Sequence, residues 1–115
     1  MRMSERDFAD IVTAGKKSKG PKESEIQSNI RDYLRAYGWF VIRHHQTLGS
    51  HKGLSDLTAI KEGRTVYIEV KTPSGKQSDD QILFQAEIEA HGGLYVLARG
   101  IEDVEFLCKK LKYGN

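Results

Sequence analysis

A chain of 115 residues and 13.0 kDa has the size of one compact domain and excludes two. Its 38% hydrophobic content supplies one modest core, which excludes wholesale disorder, and no apolar run nears the roughly 18 residues of a membrane span. The net charge of +2 excludes a uniformly basic chain, but the signs separate along it: +3 over residues 1–22, −2 over 23–30, +4 over 31–76 and −3 over 77–115. A basic stretch with a few embedded carboxylates suits a phosphate backbone with metal ligands beside it, and suits a mixed solvated surface equally well on charge alone. The opening residues lack the apolar core of a signal peptide, so the expected location is cytoplasmic, without a membrane partner. The single cysteine, Cys108, leaves no disulfide framework or thiolate zinc cage and reads as a buried small hydrophobe.

Residues 1–22 contain a short apolar cluster followed by Gly15 to Lys22, four lysines and no acid, which reads as a flexible basic arm. From Glu23, apolar and aromatic residues Ile26, Ile30, Tyr33, Leu34 and Tyr37 recur at helical spacing, with Ser24 and Gln27 as an expected capping box and Gly38 as the stop. Trp39 to Arg43 reads as a strand, and the polar run His44 to Gly53 as a loop. Strands near Asp56–Ile60 and Thr65–Lys71 are expected to pair antiparallel through the Glu62-Gly63 turn. Ser78 and Gln81 cap a second helix that ends at Gly92-Gly93. Leu94 to Ala98 reads as a buried strand, and Ile101, Val104, Leu107, Cys108 and Leu111 as one face of a closing helix. The order is α-β-β-β-α-β-α, an α/β domain over residues 23–115 with a central mixed β-sheet flanked by helices.

Alternation in the strand Thr65 to Lys71 puts Tyr67, Glu69 and Lys71 on one face. An acid and a lysine there are costly unless exposed or partnered; an exposed edge-strand ion pair would satisfy them. Asp56, at the head of the adjacent strand, suggests a different partner, because two neighbouring carboxylates repel unless a cation lies between them. Oxygen ligands without a cysteine cluster favour Mg²⁺ or Mn²⁺ over zinc.

Gly53-Leu54-Ser55-Asp56, Glu69-Val70-Lys71, Ser78 and Gln81, preceded by Glu25-Ile26-Gln27, resemble the VRR-NUC branch of the PD-(D/E)XK nuclease superfamily, over roughly residues 23 to 98. Ser55 stands where the pattern usually has proline. The resemblance implies a restriction-endonuclease-like core with Asp56, Glu69, the Val70 carbonyl and Glu25 binding Mg²⁺ or Mn²⁺. It also implies that Lys71 orients or activates the attacking water and that Gln81 lines the site, making Glu25, Asp56, Glu69, Lys71 and Gln81 the catalytic set. Glu23 begins the same helix as Glu25; of the two, Glu25 is preferred as ligand. The implied activity is a metal-dependent deoxyribonuclease acting on branched DNA, four-way junctions or flaps, and compact stand-alone relatives point to a phage-borne or bacterial protein.

Expected contacts to DNA come from Lys16, Lys17, Lys19 and Lys22 in the arm, Arg43, His44, His45, His51 and Lys52 around the first loop, and Lys76. The histidines alone have no regular metal-ligand spacing. Tyr33, Tyr37 and Trp39 could stack on bases, but their spacing favours packing. Paired cutting of a two-fold junction calls for a homodimer, with the third strand or the closing helix as its interface. Two alternatives are a restriction-type enzyme that reads a short duplex sequence and a DNA-binding module without catalysis.

Overall fold

The structure, a computed structural model, describes residues 20–109. Lys16, Lys17 and Lys19 of the basic arm, and Leu111 of the closing segment, lie outside those residues.

Helix α1 spans Glu23–Ala36 and buries Ile26, Ile30 and Leu34, the stripe that its sequence spacing requires. Its start differs from the expected Ser24–Gln27 box: Lys22 is the N-cap, and its backbone N–H donates to Glu25 Oε1 at 3.0 Å. The helix closes on Gly38 in the left-handed region, φ 90°, while Trp39 N–H donates to Leu34 O at 3.1 Å; glycine adopts that conformation without a Cβ penalty. The chain then enters β1 (Phe40–Arg43), with Trp39 buried beneath the helix.

Strands β2 (Leu57–Lys61) and β3 (Arg64–Val70) form the expected hairpin. Lys61 pairs with Arg64, and Glu62 and Gly63 both have positive φ, 51° and 80°, the conformation of a two-residue primed turn. Helix α2 (Asp79–Ala90) crosses over to β4 (Leu94–Ala98), which pairs with β3 in parallel. The sheet order is β1-β2-β3-β4, with β1·β2 and β2·β3 antiparallel. One face, through Val41, Leu57, Ala59, Val66, Ile68 and Val70, meets α1 in the main core. On the other, Phe84 of α2 packs edge-on against Tyr67 and Tyr95, ring centroids 5.9 and 6.2 Å away, while Phe40 and Ile42 of β1 remain exposed.

The closing segment departs from the expected α-helix. It forms two 3₁₀ turns, Ile101–Asp103 and Glu105–Leu107, with Val104 N–H bonding Ile101 O at 2.9 Å and Leu107 N–H bonding Val104 O at 3.0 Å. Ile101, Val104 and Leu107 recur every third residue, the period of a 3₁₀ helix, so this winding turns all three toward the core. Cys108 is half-buried against them. Among the described residues no helix is long and apolar enough to cross a membrane.

The loop before β2 is locked to α2 at Gly53. Its φ is 75°, and a Cβ there would run into the Asp80 carbonyl and lie 2.9 Å from Gln81 N. Gly63 shares the positive φ but has open space around it. Gly53→Ala is therefore expected to destabilise the fold by more than Gly63→Ala, which carries only the conformational cost of about 1–2 kcal/mol. Urea denaturation of the two variants checks this, and equal losses would mean that the loop does not pack on α2.

Candidate metal centre

Three carboxylates from three separate segments meet at one end of the sheet. Glu23 opens α1, Asp56 precedes β2 and Glu69 lies near the end of β3; one oxygen from each falls within 4.8 Å of the others. Each is placed by a local rule. Glu69 shares the α2-facing side of β3 with Tyr67, as strand alternation requires. Asp56 Oδ2 accepts from Val70 N–H at 2.8 Å, which ties the loop end to the last residue of β3. Ser55, in the position before Asp56, is fully buried and donates to Leu57 O at 3.2 Å, so the turn into β2 is held by a hydroxyl.

Glu25 does not join this cluster. As the third residue of α1 its side chain turns back to the Lys22 amide, where it satisfies an orphan donor and complements the helix dipole. Glu23, two residues earlier, is the acid that the helix start directs toward Asp56 and Glu69. The preference for Glu25 rested on the resemblance; with the cap at Lys22, Glu25 is the third helical residue and the one that reaches back to the cap.

Gln81 performs two tasks with one amide. Its Oε1 accepts from Ser78 N–H at 2.8 Å, completing the capping box of α2, and its Nε2 donates to Glu69 Oε2 at 2.7 Å. The cap thus fixes the rotamer that presents the amide to the acid. Lys71, on the same side of the chain, holds its Nζ 3.7 Å from the same oxygen, with side chains only 15% and 1% exposed for Lys71 and Glu69.

The other oxygen of Glu69, Oε1, is buried with no hydrogen-bond partner. Burial, and then the Asp56 carboxylate, push the Glu69 carboxyl up to about 8 from its ordinary 4.5, against the opposing pull of Lys71. A carboxylate oxygen left bare beside two further acids is costly, and a divalent cation would remove both the repulsion and the vacancy in its bonding. The donor set fits such a group: hard oxygens without thiolates, as Mg²⁺ or Mn²⁺ prefer.

Of the expected DNA contacts, Lys22, Arg43, His45, His51, Lys52 and Lys76 are exposed. His44 is half-buried, with Nε2 2.6 Å from Thr58 Oγ1, so it braces the sheet. His51 also packs 5.5 Å from the Phe84 ring. Trp39 is core, and Tyr33 and Tyr37 pack against each other at a tilt of 50° with centroids 5.0 Å apart.

No family model matches the sequence, and no curated protein matches it. Solved structures do. A chain described as "VRR_NUC domain" superposes with a TM-score of 0.62 at 20% identity, over 74% of this chain and 91% of that one. A second, "VRR_NUC domain protein", gives 0.60 at 23% identity over 77% and 86%.

The raised Glu69 carboxyl has a measurable sign. The fold favours its neutral form, so its contribution is fully present below about 4.5 and is lost as pH rises toward about 8. Melting of the metal-free protein is expected to weaken over that window, and Glu69→Gln to flatten the dependence. Identical pH slopes for the two proteins would show that Glu69 is ionised at no cost in the fold.

Through these superpositions the chain is assigned the fold of the VRR_NUC domains, a restriction-endonuclease-like core with a four-stranded mixed sheet between helices.

Proposed function

We propose that this chain is a metal-dependent endonuclease that hydrolyses phosphodiester bonds in DNA, with branched structures such as four-way junctions or flaps as its substrates. The observation that carries the reading is the buried, unpartnered Oε1 of Glu69 within a three-carboxylate cluster that also faces Lys71. The likeness to VRR_NUC domain structures supports it.

In this reading Asp56, Glu69 and Glu23 hold Mg²⁺ or Mn²⁺, with the Val70 carbonyl as a further oxygen. When bound, the ion supplies charge for the phosphate and makes water a better nucleophile. The chain's own residues do the rest. Glu69 is fixed by Gln81 within the carboxylate cluster, and the Lys71 ammonium, 3.7 Å from Glu69 Oε2, offers a hydrogen-bond donor and a positive charge beside it for the attacking water and the charge that develops on the phosphate. Gln81 donates from Nε2 to Glu69 Oε2 and takes no part in proton transfer. Arg43, His45, His51 and Lys52 flank the loop that ends in Asp56, and with Lys76 and the lysines of the arm they supply phosphate contacts. Helix α2 carries four acids and no base, so the backbone of the substrate is assigned to the loop side of the centre.

Cleavage of labelled junction, flap, linear duplex and single-stranded DNA, with Mg²⁺ or Mn²⁺ and with EDTA, tests this directly. Asp56→Ala is expected to abolish cutting and to keep or tighten binding, because it removes negative charge that faces the phosphate. Loss of binding by a folded Asp56→Ala, or binding without cutting by the parent under either metal, would overturn the assignment.

A homodimer belongs to the same reading, because paired cuts in a junction need two sites related by two-fold symmetry. Exposed Phe40 and Ile42 on β1 and Phe106 in the closing segment offer apolar surface for it. The solution mass measured by light scattering is expected to be twice 13.0 kDa; a monomer that cuts junctions on both strands would refute the dimer.

A further inference from the structure

We infer that Arg99, at the end of β4, is a positioning residue for Lys71, acting through the turn Thr72-Pro73-Ser74-Gly75. The inference rests on the nuclease reading for its effect on cleavage, and on the geometry below for the positioning itself.

Lys71 is the first residue beyond β3, and its backbone N–H donates to Ala98 O at 3.0 Å, so its main chain is still part of the sheet. Its side chain has to cross to Glu69 without a strand on its far side. The turn provides that wall. Gly75 N–H closes it by donating to Thr72 O at 3.0 Å, proline at its second position suits such a turn, and it folds back over the lysine. A Cβ on Gly75 would lie 3.5 Å from both Lys71 Cβ and Cδ and 3.2 Å from Thr72 Oγ1. The glycine therefore sits against the aliphatic stem whose Nζ is 3.7 Å from Glu69.

A turn of four residues has few bonds of its own, and three of its carbonyls converge on one donor. Arg99 Nη1 donates to Thr72 O at 2.7 Å and Gly75 O at 2.7 Å, with a longer contact of 3.3 Å to Pro73 O. A charged donor to carbonyls makes stronger bonds than a neutral one, and the planar guanidinium spends little entropy in fixing them. The root of Arg99 is fixed as well, its backbone N–H donating to Asp103 Oδ2 at 2.8 Å. The sequence separation is 27 residues between Arg99 and Thr72, so nothing but the parallel β3–β4 pairing brings the two together. Without the guanidinium the turn loses its long-range anchor, the wall against the stem loosens, and the ammonium is no longer held over Glu69.

The test uses the full chain with Arg99→Ala, Arg99→Lys and Gly75→Val. Arg99→Ala is expected to slow single-turnover cleavage of bound DNA by roughly tenfold or more, as a displaced catalytic group does, while DNA affinity in EDTA stays within about twofold. Added guanidinium is expected to restore part of the rate, and Arg99→Lys to fall between the two. Gly75→Val keeps every carbonyl that Arg99 binds but crowds Thr72 Oγ1, 3.2 Å from the new Cβ, and adds methyls beside the Lys71 stem, and it is expected to slow cleavage alike with affinity intact. Nuclear Overhauser contacts between the Lys71 side chain and Gly75, present in the parent, are expected to vanish in Arg99→Ala. Cleavage by Arg99→Ala at the parental rate, or Overhauser contacts that survive the substitution, would overturn the inference. If the parent cuts no DNA, the nuclease reading falls, and the Overhauser contacts alone decide the positioning.

Discussion

The structure is organised around one unfavourable act, the burial of the Glu69 carboxylate at 1% exposure. A carboxylate taken out of water needs charge or hydrogen bonds in return, and on one oxygen it receives them from Gln81 and, at longer range, from Lys71. The second oxygen is buried without a donor, and the Asp56 carboxylate beside the acid raises its pKa further. Around this acid the chain has assembled the N-terminus of α1, the loop before β2, the end of β3 and the first turn of α2. Gly53 is the joint between two of those segments, because only a residue without a Cβ lets the loop carrying Asp56 lie on the backbone that carries Gln81.

The parts of this arrangement that were legible in the sequence are those that local rules determine. The Glu69-Val70-Lys71 step fixes which side of a strand the acid and the lysine share. Ser78 and Gln81 are separated by the spacing of a capping box, and the Glu62-Gly63 pair announces the hairpin. Which of Glu23 and Glu25 faces the other acids depends on where the helix begins, and the sequence, with Ser24 as an apparent cap, did not mark Lys22 as the start. Lysine is a poor marker for an N-cap since its side chain accepts nothing; here only its backbone amide takes part, so the residue type at that position carries little information. The closing segment illustrates the other limit. An apolar residue every third position fits a coarse helical pattern, and only the paired i to i+3 bonds in space distinguish a 3₁₀ turn. The Arg99 anchor has no local signature at all, because the three carbonyls it binds carry no side-chain chemistry and lie across a parallel pairing.

The two faces of the sheet have different tasks. Against α1 the side chains of Val66, Ile68 and Val70 pack into a continuous apolar core, which supplies the favourable burial that holds the domain together. The opposite face is only half covered, by an α2 whose one buried side chain is Phe84. That helix meets the sheet through Phe84 on Tyr67 and Tyr95 and through polar ties at its start, Gln77 Nε2 to Tyr95 Oη at 3.2 Å and Gln81 Nε2 to Glu69 Oε2 at 2.7 Å. A helix so retained can be placed for chemistry, since its first turn is free to face Glu69 while the core elsewhere is undisturbed.

Departures from ordinary folding rules gather at this same end of the sheet. Within one neighbourhood lie a buried acid with a bare oxygen, two more acids near enough to repel it, a positive-φ glycine in backbone contact with a helix, and an arginine whose guanidinium serves carbonyls. Any one of them could be tolerated as a structural accident. The first two oppose the stability that the α1 side provides, and chains retain such costs where a ligand relieves them or where chemistry requires them. A divalent cation would relieve the first two, and the other two hold the acids and the lysine in register. The acids and the contacts around them therefore form a single system, in which a fixed backbone holds three carboxylates close enough that a cation among them would relieve their repulsion.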